Sequence, residues 1–210
     1  MFTKKTIAYI LTLVVTILLL ISLPIHTSPS RRFLAQILVP KNGQILRALF
    51  SPKDDIRQTI ISLINSETHA IKVASYFFTD TNIANALINA HHKAVDIQVI
   101  IDQKHLETCE HTKIFDLYKA GIKIAVFQNQ NKYGIFHHKF IWFANNFNQK
   151  NLLLTGSFNF TSAAQEQNQE NIIITDNNEI TSSYLNQFNF LKKQTFPLNK
   201  FIKQQKSKLA

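Results

Sequence analysis

Residues 134–174, GIFHHKFIWFANNFNQKNLLLTGSFNFTSAAQEQNQENIII, decide the fold because three apolar runs alternate there with turn-forming polar residues. Runs rich in Phe, Ile and Leu that are bounded by Asn, Gly and Ser are typical of strands. We predict strands at Phe136–Phe143 and Asn151–Thr155, joined by the hairpin ANNFNQK, and a last strand over NIIITD. The same segment also carries two histidines, two lysines, two serines and two glutamates.

Upstream of this stretch, strand and helix patterns alternate. Strands are predicted over ILRALFS, AIKVASYFF, DIQVIID and IKIAVF. Helices are predicted after Ser51 as N-cap, from Thr81 to His91, near His111–Ala120 with Gly121 as C-cap, and over Glu179–Lys192. This order predicts an α/β fold, with a mixed β-sheet flanked by helices, as one domain over residues 45–192.

Composition limits the class of protein. A hydrophobic content of 45% excludes a disordered chain. The single cysteine, Cys109, excludes an intrachain disulfide and a cysteine-based zinc site.

The net charge of +10 belongs to the two ends of the chain. Residues 1–32 carry four basic side chains and no acid, and residues 192–210 carry six lysines and no acid. The body, 33–191, has 13 basic and 13 acidic residues. We expect residues 193–210 to form a solvated basic tail, and basic ends of this kind favour polyanions such as phospholipid headgroups or nucleic acid.

The N-terminus has the pattern of a membrane segment. Ile7 to Ile25 form a run of 19 residues without a charge, which is long enough to cross a bilayer. Lys4 and Lys5 precede it and favour a cytoplasmic N-terminus with an exported body. We predict a hydrophobic transmembrane helix within residues 1–25 and a tether over 26–44. The alternative is a signal peptide whose cleavage leaves a secreted protein.

The histidine–lysine pair of the opening stretch suits phosphate chemistry. Side chains two residues apart in a strand share a face, so His137 and Lys139 are expected on one side. Phe136, His138 and Phe140 are then expected on the other side. An ammonium group neutralises a phosphate while a neighbouring imidazole reacts with it.

Further polar residues downstream complete a candidate phosphate site. Ser157 and Asn159 in GSFNF offer uncharged donors to phosphoryl oxygens. Glu170 precedes an apolar strand and is a candidate to hold the far ring nitrogen of His137, which would orient the imidazole. Glu166 is the competing acid, but its position within a loop favours a solvated role.

These residues carry a resemblance. FHHKFIWF, followed by LLLTGSFNF and an acidic residue, resembles the H-x-K-x4-D signature of the phospholipase D superfamily. It is most similar to the single-motif branch of small bacterial phospholipase D proteins, bacterial endonucleases and mitochondrial cardiolipin hydrolase. The likeness spans about residues 46–190. One departure is Ala144 at the position of the motif aspartate, where Asn145 or Asn146 are candidates to replace its hydrogen bonds.

The resemblance implies a phospholipase D-like fold and a mechanism. His137 attacks phosphorus to give a phosphohistidine, and a second motif histidine protonates the leaving oxygen. Because the chain has one motif, a homodimer with a shared active site would supply the second histidine. Lys139, Ser157 and Asn159 would bind the phosphate, without a metal ion or other cofactor. The second HHK, at 91–93, ends a predicted helix without a following G-S-x-N, which indicates a solvated helix end.

Three functions fit these observations. The first is a membrane-tethered phosphodiesterase acting on phospholipid headgroups, with its catalytic domain outside the cytoplasm. The second is a nuclease with the same chemistry, which the neutral body disfavours because nuclease grooves are basic. The third is an inactive phosphate-binding homologue that lost its brace at Ala144.

Overall fold

The structure is a computed structural model that describes residues 28–131 and 133–209. The membrane segment predicted over residues 1–25 lies outside this part of the chain. No helix within the described residues has the length and apolar character needed to cross a bilayer.

Strands and helices alternate through the first half of the chain, as predicted. The strands are β1 Leu46–Ser51, β2 Ala70–Ser75, β3 Asp96–Asp102, β4 Lys123–Phe127, β5 Lys139–Phe143, β6 Leu152–Gly156, β7 Glu170–Thr175 and β8 Thr195–Pro197. The helices are α1 Pro29–Ile37, α2 Ile56–Ser66, α3 Thr81–His92, α4 Gln103–Thr108, α5 Ile114–Lys119, α6 Ser162–Glu166, α7 Asn178–Lys192 and α8 Leu198–Leu209. A short 3₁₀ turn, Phe147–Gln149, lies within the predicted hairpin between β5 and β6.

The strands of the described residues form one mixed sheet in the order β1-β7-β6-β5-β2-β3-β4-β8. β2, β3 and β4 run parallel, and every other neighbouring pair is antiparallel. The carboxyl ends of the parallel strands therefore lie at the same sheet edge as the first residues of β5 and β7. The predicted mixed α/β sheet is confirmed.

Helices cover both faces of the sheet. The larger core packs α1, α2, α3, α5 and α8 against one face through side chains such as Leu34, Ile60 and Leu87. On the other face, Phe188 and Leu191 of α7 pack against Phe140 of the sheet. Burial of apolar side chains on both faces is what holds such a layered fold together.

Two element starts differ from the prediction. Asp55 is the N-cap of α2, because its carboxylate accepts a hydrogen bond from the Gln58 amide at 2.9 Å. Ser51 instead ends β1, and its hydroxyl donates to the Ala164 carbonyl at 2.6 Å. β5 begins at Lys139 and not at Phe136, because the Phe136 amide is already bound by the Asp102 carboxylate at 2.7 Å.

The segments predicted as a tether and a basic tail are folded in part. Within 26–44, α1 buries Leu34 on the main core. Within 193–210, β8 pairs with β4, and α8 buries Leu198 and Phe201. The structure differs from the expectation here because apolar residues at helical spacing, and not the lysines around them, decide where the segment packs.

A buried carboxylate braces the end of β5, where Ala144 replaces the motif aspartate. Glu67, which follows α2, is almost completely buried. Its carboxylate accepts the backbone amides of His69 at 2.8 Å and Asn145 at 3.1 Å. The Asn146 side chain donates to the Leu63 carbonyl at 2.8 Å and to Glu67 at 3.3 Å. The asparagines predicted to replace the aspartate thus act together with a glutamate from another element.

We predict that Glu67→Ala lowers the free energy of unfolding by about 2–4 kcal/mol, because buried amides lose their acceptor. The measurement is denaturant unfolding, with a lower midpoint at an unchanged slope. Glu110→Ala is the matched control, since Glu110 is exposed and makes no side-chain hydrogen bond or ion pair within the described residues. Equal effects of the two substitutions would contradict the bracing role.

Candidate active site

The candidate residues converge at one edge of the sheet. Ser75 and Asp102 are the last residues of β2 and β3, and Lys139 and Glu170 are the first residues of β5 and β7. Ligand sites in open α/β sheets lie outside the carboxyl ends of the parallel strands. The predicted site therefore occupies the edge at which this topology places a ligand.

His137 lies in the irregular segment just before β5 and is exposed. Its ring centroid lies 5.0 Å from that of Tyr76. Within the described residues, neither ring nitrogen makes a hydrogen bond to protein. Partial burial, followed by the charge of Lys139, lowers the pKa of His137, while Asp102 acts in the opposite direction. A lowered pKa favours the neutral imidazole, which is the form that can attack phosphorus.

Lys139 is the buried cation of the site, with only 7% of its surface exposed. Its Nζ donates to the His137 carbonyl at 3.0 Å and lies 5.5 Å from the Tyr76 ring centroid. Burial lowers the pKa of Lys139, and the charge of Glu170 opposes that shift. The amino group is thus held at the His137 backbone carbonyl, next to the Tyr76 ring.

Tyr76 is a site residue that sequence reasoning missed. The side chains of His137 and Lys139 both approach its ring, so they share one side of the chain as predicted. His138 lies on the other side. Its ring centroid is 5.1 Å from that of Phe136 and 5.7 Å from that of Phe140. Tyr76 lies inside the predicted strand AIKVASYFF, whereas the observed β2 ends one residue earlier, at Ser75.

Asp102 positions the segment that carries His137 and was also missed. The residue is 2% exposed. One carboxylate oxygen caps α4 by accepting from the Lys104 amide at 2.8 Å. The other accepts from the Phe136 amide at 2.7 Å. The backbone directly before His137 is thus tied to the end of β3.

Ser157 is presented by a close approach of two strands. Its Oγ accepts from the Asn171 backbone amide at 3.1 Å and from Asn171 Nδ2 at 3.3 Å. A hydroxyl that accepts two bonds retains its own proton as a donor. Gly156 is required beside it, because a Cβ there would lie 2.1 Å from the Asn171 carbonyl oxygen. Ser157 is exposed, as a phosphate donor must be.

Asn159 lies close to the same edge and is half-buried. Its Oδ1 atom is buried and lacks a hydrogen-bond partner within the described residues. A phosphodiester has no hydrogen to donate to this oxygen, so the part of Asn159 that can bind a phosphoryl oxygen is its Nδ2 amide group.

Glu170 makes a different contact from the one predicted. Within the described residues it makes no hydrogen bond to His137, and its Oε1 accepts instead from Asn168 Nδ2 at 3.2 Å. Its charge acts on Lys139, whose pKa it raises against the effect of burial. Within one chain, the acid thus acts on Lys139, and its orienting role toward a His137 imidazole stays a prediction.

The two competing motifs lie outside this site. Glu166 forms an ion pair with Arg57 Nη2 at 2.9 Å and remains partly exposed. In the second HHK, His91 and His92 end α3, and His92 and Lys93 are exposed. Glu166 is therefore an ion-paired helix residue and not a solvated loop residue. His91 is half-buried, and its Nδ1 is buried without a hydrogen-bond partner within the described residues, so the expected solvated role holds for His92 and Lys93 only.

Two cavities flank the His137 segment. One of about 370 Å³ has a mostly apolar wall that includes Phe127, Ile135 and Leu191, and His137 and His138 also line it. The other, of about 320 Å³, lies beside Asp102 and is lined by the amides of 128–131. The described residues bring together no group of three His, Cys, Asp or Glu side chains that could hold a metal ion.

The chain is similar in sequence to curated proteins. Phospholipase D of Rickettsia conorii is 32% identical over 136 residues, which are 65% of this chain and 64% of that protein. The mitochondrial cardiolipin hydrolase of Xenopus laevis is 30% identical over 138 residues, 66% of this chain and 61% of that protein. The chain thus matches less than two thirds of the length of these curated relatives.

The fold is also similar to solved structures. Nuc from Salmonella typhimurium, a phospholipase D family member, is 28% identical with a TM-score of 0.64, over 73% of this chain and 97% of that one. The family model described as "Cardiolipin synthase, PLD-like domain" matches residues 60–192, which include His137, Lys139, Ser157, Asn159 and Glu170. Because this match covers more than half of the chain, the protein belongs to the phospholipase D superfamily.

Proposed function

We propose that the protein is a phosphodiester hydrolase of the phospholipase D type, with His137 as nucleophile and phospholipid headgroups as substrates. The observation that carries the proposal is the placement of the exposed His137 and the buried Lys139 on one side of Tyr76. An anion that reaches this edge meets a fixed positive charge beside a free nucleophile.

The reaction follows from the residues in two steps. A phosphate bound by Lys139, Ser157 and Asn159 is attacked by a ring nitrogen of His137, so that a P–N bond forms and the P–O bond to the leaving alcohol breaks. A second histidine gives its proton to the leaving oxygen. That histidine then takes a proton from water, whose oxygen forms a P–O bond as the P–N bond breaks. His137 is regenerated, and neither step calls for a metal ion.

Two features favour a lipid over a nucleic acid. The cavity that reaches His137 has an apolar wall formed by Phe127, Ile135 and Leu191, which suits the glycerol and acyl part of a lipid. Residues 33–191 carry as many acidic as basic side chains, and a groove for nucleic acid is normally basic.

A metal-independent nuclease is the second candidate. The cavity beside Asp102 favours it, because its lining amides, Gln128 to Asn131, can donate and accept hydrogen bonds as base edges require. The third alternative, an inactive homologue, rested on the missing motif aspartate at Ala144. Glu67 supplies buried hydrogen bonds at the end of that strand, which argues against this alternative.

We also propose that two copies share one site. One chain carries one H-x-K motif, whereas the reaction uses a nucleophile and a separate acid. Leu46 (75%), Phe50 (55%) and Ile173 (45%) are exposed apolar side chains on β1 and β7. Phe50 pairs with Asn171, and Ala48 pairs with Ile173, so the strand alternation places the exposed side chains on one face. We propose this apolar patch as the interface between the two copies.

The location proposed is a membrane. Residues 7–25 would anchor the chain, with the catalytic domain outside the cytoplasm, or cleavage there would release a secreted enzyme. Both arrangements give the site access to lipid headgroups.

The purified protein should hydrolyse phosphatidylcholine or cardiolipin in the presence of EDTA, and more slowly single-stranded DNA or RNA. His137→Ala should lower turnover by about a thousandfold or more, because the covalent step loses its nucleophile. His92→Ala is the matched control and should keep wild-type activity, since His92 is exposed at the end of α3.

Faster cleavage of nucleic acid than of either lipid would favour the second candidate. Loss of all activity in EDTA, with recovery on adding a divalent cation, would contradict the proposed chemistry. Retention of activity in His137→Ala would remove the assigned nucleophile.

The pH dependence should report the lowered pKa of His137. Because the neutral imidazole attacks, activity rises as pH rises through this pKa, and a lowered pKa moves that rise to lower pH. The rising limb of kcat/KM should therefore have its midpoint below about 6.5, the ordinary histidine value. A midpoint clearly above that value would contradict the environment described for His137.

Disrupting the apolar patch on β1 and β7 should separate the two chains that share the site. The double variant Phe50→Asp/Ile173→Asp should run as a monomer in light scattering and lose about a hundredfold or more in activity, because it lacks the acid. Val39→Asp is the control, since Val39 is also exposed but precedes β1. A fully active monomer would contradict the shared site and would make His138 the first candidate for the acid within one chain.

A further inference from the structure

Helix α8, Leu198–Leu209, has two different sides. Leu198 and Phe201 are buried, and Ile202 packs partly against the main core. Lys200, Lys203 and Lys206 are exposed. Residues three apart in a helix advance by about 300°, so these lysines span an arc of about 120° that faces away from the buried residues.

The lysines of this arc have no acidic partner. Residues 192–209 contain no Asp or Glu, and within the described residues Lys200, Lys203 and Lys206 form no ion pair. Lys200 Nζ lies 5.6 Å from the Phe196 ring centroid. By contrast, Lys72, Lys123 and Lys150 each pair with an aspartate. Like charges on one helix repel each other, so the arc is stabilised when a polyanion lies against it.

Packing fixes the direction in which the lysine-bearing side of α8 faces. β8, which leads into α8, pairs with β4 through Ala125↔Pro197 and Phe127↔Thr195. The buried side of α8 then rests on the same core as α5. The lysines therefore form a surface of defined orientation and not a set of charges on a loose tail.

We propose that the Lys200–Lys203–Lys206 face of α8 docks on an anionic phospholipid surface. Lysines along one side of a helix attract the negative headgroups of such a surface. The inference does not depend on the hydrolytic activity, because none of these lysines belongs to the candidate active site.

A lipid surface fits this face better than a nucleic acid. Single-stranded nucleic acids are bound through aromatic side chains interleaved with basic ones, and the outward arc of α8 carries lysines without an aromatic residue. The uncharged run Ile7–Ile25 would also hold the fold close to a bilayer.

The docking face leaves the proposed dimer patch free. β8 is at one end of the strand order and β1 at the other. With strands about 4.8 Å apart, seven intervals separate the two edges by roughly 34 Å. Membrane docking through α8 and pairing of two chains through β1 and β7 are therefore compatible.

The test uses the full chain reconstituted in vesicles of phosphatidylcholine alone, or of phosphatidylcholine with phosphatidylglycerol. A water-soluble amine-reactive reagent modifies exposed lysines, and peptide mass spectrometry reads each position. In the anionic vesicles, labelling of Lys200, Lys203 and Lys206 should fall by about fivefold and recover in high salt. Labelling of the exposed control lysines 41, 93 and 119 should not change.

Substitutions show whether the protection of Lys200 depends on the other lysines of this face or on any loss of two positive charges. Lys203→Gln/Lys206→Gln should remove the protection of Lys200, whereas Lys93→Gln/Lys119→Gln should leave it intact. Equal labelling in the two kinds of vesicle, or equal protection of the control lysines, would overturn the proposal. So would stronger protection of α8 by a DNA duplex added to the phosphatidylcholine vesicles, which would make nucleic acid the partner.

Discussion

The hydrogen bond from the Phe136 amide to the buried Asp102 carboxylate, at 2.7 Å, is the interaction on which the candidate site depends. His137 lies outside the sheet ladder, so strand pairing alone does not fix its position. Asp102 ties the preceding residue to the end of β3 and, with its other oxygen, starts α4. A buried, fully bonded carboxylate of this kind is rigid, and rigidity is what a positioned nucleophile needs.

Much of the fold follows from sequence pattern. Alternating apolar strands and amphipathic helices predicted the mixed α/β sheet, because strand and helix periods differ. Element starts were less predictable. Ser51 and Asp55 are both good N-caps, and only the turn after β1 decides that Asp55 caps α2. In α8 the spacing of Leu198 and Phe201 carried a helical signal, but the surrounding lysines favoured a solvated tail.

The site was predictable where its residues share a motif, and less so where they meet through the fold. His137 and Lys139 are two residues apart, so their common side follows from local geometry. Tyr76 and Asp102 reach the site from β2 and β3, and a single sequence does not reveal which strands become neighbours. Glu67 is a similar case, because it binds the Asn145 amide from a distant helix end. Its hydrogen bonds fix the chain directly after Ala144, where the motif aspartate is absent.

The central claim is that a histidine of a single motif becomes covalently bound to the substrate's phosphorus. The most direct measurement is rapid quenching in denaturant near neutral pH of the protein mixed with phospholipid, followed by mass spectrometry of its peptides. Avoiding acid preserves the phosphorus–nitrogen bond, and avoiding alkali preserves the acyl esters of the bound lipid. The account predicts a phosphatidyl group on His137, formed before the first turnover is complete and lost as product appears. The same adduct on His138 or on a serine, or steady turnover without an adduct at any time point, would contradict it.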